Sequence, residues 1–153
     1  MPHLSATEIT GLRAALDDEY QALATYAQVL ADFGDIRPFA NIVRSEARHA
    51  GALLELFERH GIPAPANSWH GRVRRYPSVT AACADAVRAE VANAALYDRL
   101  LASTTRPDLL QVYRRLRDAS QERHLPAFRR CATRAAAAGG GRGGRCTHRA
   151  CLS

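Results

Sequence analysis

Lysine is absent from this sequence, methionine and tryptophan occur once each, and aromatic residues make up only 7% of it. Alanine is abundant, so the missing lysine reads as a bias toward GC-rich codons, and every fixed positive charge is an arginine. No apolar stretch reaches the ~18 residues that a membrane-spanning helix needs. The opening segment MPHLSATEITGLRAALDDEY has no apolar run flanked by basic residues, so no signal peptide is expected and a cytoplasmic location is the default. Cysteine is sparse as well. Cys83, Cys131, Cys146 and Cys151 are too scattered for a disulfide framework and are expected to be idle thiols or small apolar side chains. Paired Cys-x-x-Cys motifs are missing, which removes a rubredoxin-like electron relay.

Acids are missing from the last stretch, and this explains the net charge of +6. Up to residue 128, fifteen arginines balance fifteen acids. The excess comes from Arg129, Arg130, Arg134, Arg142, Arg145 and Arg149, so the basic character belongs to a tail and not to the fold. This tail, with Arg72, Arg74 and Arg75, would touch phosphates without specificity, because no aromatics are interleaved to read bases. Cys146, His148 and Cys151 offer three metal ligands and no fourth.

What is present is helical periodicity in one domain-sized chain of 153 residues. Ser5 followed by Glu8 forms a capping-box pattern that opens a helix running to Phe33, with Leu12, Leu16, Leu23, Tyr26, Leu30 and Phe33 on one stripe. Glu19 sits inside that apolar stripe. A second helix, from about Arg37 to His60, has Phe39, Ile42, Leu53 and Leu56 with Glu46 and His49 in the gaps. A third, from about Ser78 to Ala102, carries Cys83, Ala86, Ala94, Tyr97 and Leu101 around Glu90. The fourth begins at Pro107 and reaches about Cys131, with Tyr113, Leu116, Ser120, Ala127 and Cys131 around His124.

Short links at 34–36 and 103–106 make two antiparallel helical hairpins. The 61–78 link can extend about 59 Å at ~3.3 Å per residue, against about 36 Å for a 24-residue helix, so it can run the length of a bundle. The expected fold is therefore all-α, a ferritin-like four-helix bundle over residues 5–131 with a long crossover between its hairpins. Residues 132–153, rich in alanine, glycine and arginine, are expected to be a disordered tail.

The two halves repeat one another. EYQALATY places Tyr26 seven residues after Glu19, and EVANAALY places Tyr97 seven after Glu90. SEARH ends at His49 and SQERH at His124. Residues three apart on a helix point the same way, so Glu46 with His49, and Gln121 with His124, can address one site. Di-iron carboxylate bundles use one Glu from each of two helices and Glu-x-x-His from the other two. Here the candidate ligands are Glu19, Glu46, His49, Glu90, Gln121 and His124. Tyr26 and Tyr97 are candidate hydrogen-bond partners of the ligand carboxylates. Gln121 departs from the pattern, since a neutral amide leaves three carboxylates against two divalent ions. Glu122 lies ~100° around the helix, but Pro126 cannot donate to its carbonyl, so a local bulge would be a way to turn that acid inward.

On these residues the sequence resembles the ferritin-like superfamily, and within it a bacterial domain family of unassigned function with similar E-x6-Y and S-E-x-x-H segments. It is also similar to rubrerythrin. The resemblance covers residues 8–131 and implies two bound ions, iron first and manganese or zinc as alternatives, acting with oxygen or peroxide as a ferroxidase or peroxidase. Gln121 stays in the set because ferritin uses a glutamine in a comparable place. One seam glutamate alone would be a partly solvated acid paired with an arginine, whereas three glutamates and two histidines at one depth need a common cause. The other reading is a non-catalytic bundle, an interaction or scaffold module whose polar core is satisfied internally. A homodimer is compatible with either.

Overall fold

In the computed structural model, which describes residues 3–139, the chain is all α-helical. Helix α1 spans Ala6–Phe33. Both halves of its capping box form: the Ser5 hydroxyl accepts from the Glu8 amide at 3.2 Å, and the Glu8 carboxylate accepts from the Ser5 amide at 2.8 Å. It stops at Gly34, whose φ of +88° suits a residue without Cβ. Helix α2 spans Phe39–Arg59, and α3 spans Val79–Ala102 with the Ser78 hydroxyl capping the Ala81 amide. Helix α4 is Pro107–Ala119, with proline in the first turn where its missing N–H is harmless. One π-helical turn, Ser120–His124, joins it to α5, Leu125–Gly139.

Helices α1 and α3 run antiparallel, because their side-chain partners climb one helix while descending the other: Tyr26 meets Glu90, Glu19 meets Tyr97 and Glu8 meets Thr104. Helices α2 and α4 do the same, from His124 on Ser45 to Asp108 on His60. The crossover travels lengthwise beside α1. Its Trp69 indole donates to Asp17 midway along that helix, and Arg75 reaches Asp32 near its end. Two hairpins joined in this way are the ferritin-like arrangement.

Apolar side chains form two plugs. One gathers Leu12, Leu16, Leu53, Leu56, Leu109 and Leu116, and the other gathers Tyr26, Phe39, Ile42, Ala86 and Phe128. The five acids and histidines expected in the seam are all buried, with Glu19 the deepest at 1% exposed.

Two expectations need correction. Order does not stop at residue 131, since α5 continues to Gly139 through an alanine run with the highest helix propensity of any residue; the remainder of the tail lies outside the described residues. Cys83 and Cys131 are not idle thiols but a disulfide, with Cα atoms 5.9 Å apart. Their separation of 48 residues hides the pairing in the sequence, and the packing of α3 on α5 creates it. Among the described residues no helix is long and apolar enough to cross a membrane.

Candidate metal centre

Each helix delivers its polar seam residue to the same depth, and the resulting cluster is organised around Glu46. Its Oε2 lies 3.0 Å from His49 Nδ1, and its Oε1 lies 3.1 Å from His124 Nδ1. Glu19 approaches His49 Nδ1 at 3.4 Å, and Glu90 approaches His124 Nδ1 at 3.5 Å. The imidazoles stack with centroids 5.4 Å apart. Two overlapping triads result, Glu19–Glu46–His49 and Glu46–Glu90–His124. Within each, the potential ligand atoms lie within 4.8 Å of one another.

The far nitrogens of both rings converge on one hydroxyl. Ser45 Oγ lies 3.3 Å from His49 Nε2 and 3.1 Å from His124 Nε2. A serine oxygen has two lone pairs and can accept from both Nε2–H groups. That arrangement turns both Nδ1 atoms toward the carboxylates, where either a proton or a cation must separate nitrogen from oxygen. Glu19 Oε2 and His124 Nδ1 are buried and make no well-aligned hydrogen bond among the described residues, their nearest polar neighbours being the ion-pair contacts to His49 at 3.4 Å and to Glu46 at 3.1 Å. Buried polar atoms of this kind are rare in folded proteins unless a ligand satisfies them.

The electrostatics follow from that crowding. Burial pushes the Glu19 carboxyl above the usual carboxylate range. Burial opposes ionisation of Glu46 too, but the two imidazoles outweigh it and hold Glu46 low. Burial likewise disfavours charged histidine, yet Glu19 and Glu46 raise His49 to about 9, and Glu46 with Glu90 raise His124 to about 9. Without metal, therefore, protons on the two imidazoles offset two of the three carboxylate charges, and the raised Glu19 carboxyl readily takes up a third proton.

The tyrosines contact the candidate ligand carboxylates across the bundle instead of along their own helix. Tyr26 donates to Glu90 at 2.9 Å and Tyr97 to Glu19 at 2.6 Å, so each repeat supplies the hydroxyl for the other's acid.

The fold has solved counterparts. The chain is similar to hypothetical protein MJ0754 from Methanococcus jannaschii DSM 2661, with a TM-score of 0.78 and 23% identity over 88% of this chain and 84% of that one. It is also similar to a conserved hypothetical protein, rv2844, from Mycobacterium tuberculosis, with a TM-score of 0.65 and 17% identity over 88% of this chain and 98% of that one. At such identities the likeness concerns the fold. No family model and no curated protein sequence matches the chain.

Gln121 is not brought to the cluster. It is exposed, as is Glu122, and Ser120 is buried in its place. The expected bulge exists, with the Leu125 amide bonding to the Ser120 carbonyl, but it turns neither side chain inward. The wider π turn brings residues four apart onto one face and takes the residue three before His124 off it. Ser120 donates to Asn93 Oδ1 at 2.5 Å, and the Asn93 amide donates to Asp18 at 2.6 Å and to Glu19 at 3.3 Å.

Asp18, Asn93 and Ser45 escaped the sequence reading, and Ser120 was expected only as a member of the fourth helix's inward stripe. For Asp18 a signal was there, since it belongs to the acidic run Asp17–Asp18–Glu19. Burial pushes its carboxyl up to about 6. It lines a cavity of about 420 Å³ between α1 and α3 that reaches Glu46 and Glu90.

Proposed function

We propose that this protein binds two divalent metal ions, iron first and manganese second, and acts as an oxidoreductase toward oxygen or peroxide. The observation that carries the reading is Glu46 placed between two histidines whose Nδ1 atoms both face carboxylates, in two overlapping buried Glu/His triads whose potential ligand atoms lie within 4.8 Å of one another. Mixed carboxylate and imidazole donors suit iron and manganese, and accommodate zinc.

Glu19 and His49 would hold one ion, Glu90 and His124 the other, with Glu46 spanning both. A redox-active pair there would supply the electrons for reducing oxygen or peroxide. The chain contributes the rest. Tyr26 and Tyr97 orient the outer carboxylates, Ser45 fixes the imidazoles, and the apolar plugs keep bulk water from both ends. Three carboxylates fall one charge short of neutralising two divalent ions, and nearby Asp18 supplies a fourth negative charge without being a ligand.

The ion pairs of Glu46 with the imidazoles also suit the alternative, a bundle module whose polar core is neutralised by protons. Elemental analysis of full-length protein purified without chelators separates the two. Two ions per chain are expected in the wild type and in Gln121→Ala, and a loss of both in Glu46→Ala. No tightly held metal, together with ferrous iron oxidation no faster than in buffer, would leave the module as the surviving reading.

A further inference from the structure

The repeated pentads SEARH and SQERH share an arginine that metal binding does not use. Arg48 and Arg123 each immediately precede a candidate histidine ligand, and both line one cavity of about 500 Å³ on the α2–α4 side. Arg115 joins them, and the remaining wall is Asn41, Ile42, Ser45, His49 and His124. This lining contains no acid. On the α1–α3 side, by contrast, four acids, Asp18, Glu46, Asp85 and Glu90, line the cavity together with Arg74 and Arg88. Two acids near the arginines, Asp118 and Glu122, border the adjacent cleft and not this one.

The pairing of charges points the same way. Arg59, Arg75, Arg88, Arg106 and Arg117 have carboxylate partners, and of the described arginines without one only Arg48, Arg115 and Arg123 line this cavity. Arg48, Arg115 and Arg123 form no ion pair among the described residues. Three exposed guanidiniums without carboxylate partners around one concavity produce a positive potential that attracts anions. Guanidinium forks match the oxygens of a tetrahedral oxyanion, each fork donating two parallel N–H groups. The cavity is of small-molecule size. From these features we infer that the α2–α4 groove is a binding site for a multiply charged oxyanion, a phosphate group, held by Arg48, Arg115 and Arg123 above the histidine face of the cluster. The site goes beyond the metal reading and does not require it.

The phosphate group has two sources, the free ion or a phosphate monoester, and calorimetric titration tests both. Inorganic phosphate and glucose 6-phosphate are titrated into the full chain as purified and after chelation, at constant ionic strength, with metal counted in the same samples. Saturable binding of one ligand per chain is expected in both preparations. The Arg48→Gln/Arg123→Gln double variant should weaken it by about tenfold or more per arginine removed. Arg99→Gln, an exposed arginine on α3 that does not line the groove, should leave it unchanged. Because the terminal arginines are present in every variant, their contribution cancels. Tighter binding of the monoester would identify an esterified ligand, and tighter binding of the free ion would identify phosphate itself. No saturation with either probe, or an equal loss in Arg99→Gln, would overturn the site. Protein that holds no metal as purified, before any chelation, but keeps phosphate binding would sink the metal reading alone.

Discussion

Tyr97 illustrates how much of this core depends on single hydroxyls. Its phenol is fully buried and donates to Glu19 at 2.6 Å, while the other oxygen of that carboxylate makes no well-aligned hydrogen bond among the described residues. Tyr97→Phe keeps the ring packing and removes the donor, so the buried Glu19 oxygen is left with only the longer hydrogen bond from Asn93 at 3.3 Å. The metal-free protein should lose about 1 to 3 kcal/mol in urea unfolding. Metal affinity should fall by roughly 10- to 100-fold, as expected when a group that orients a ligand is removed. Tyr26→Phe should behave alike through Glu90, and a variant indistinguishable from wild type in both measurements would remove the tyrosines from the site. The sequence revealed that each tyrosine shares a face with its own glutamate. It did not reveal the exchange of partners, because a seven-residue spacing reports the face of one helix and nothing about the neighbour packed against it.

Helical periodicity carried the reading a long way. Constant turns of about 3.6 residues place Glu19, Glu46, His49, Glu90 and His124 in apolar stripes, and all five are buried together. The same assumption failed at Ser120–His124, where one wider turn shifts the register. Downstream of it Phe128 is buried at 0% exposure and Ala127 only partly so. Pro126 hinted at a bulge, but which residues it would turn outward depends on how α3 packs there. The link between α3 and α5 was equally invisible. Cys83–Cys131 closes a loop of 48 residues, and a cross-link of that span stabilises by about 2–4 kcal/mol, largely by restricting the unfolded chain. Urea unfolding with and without a reductant should therefore differ by that amount. Identical curves would mean that the pairing contributes nothing to the fold.

The two apolar plugs and the lateral cavities together determine how a bound ion would come and go. Above and below the cluster lie packed leucines and aromatics, while beside it the α1–α3 cavity reaches Glu46 and Glu90 and the α2–α4 groove reaches the histidines. Exchange through these sides requires side-chain rotations, which are fast, and spares the global opening that governs the slowest motions of a bundle. A chelator should thus strip metal from the folded protein at a rate insensitive to urea below the unfolding transition. If the rate instead rises with urea in step with the unfolding rate, the ions are trapped and leave only when the helices part. With a urea-insensitive rate, the timescale of exchange is written in the side walls, so that substitutions at Asp18 or Arg123 alter residence time while the melting temperature stays where it was.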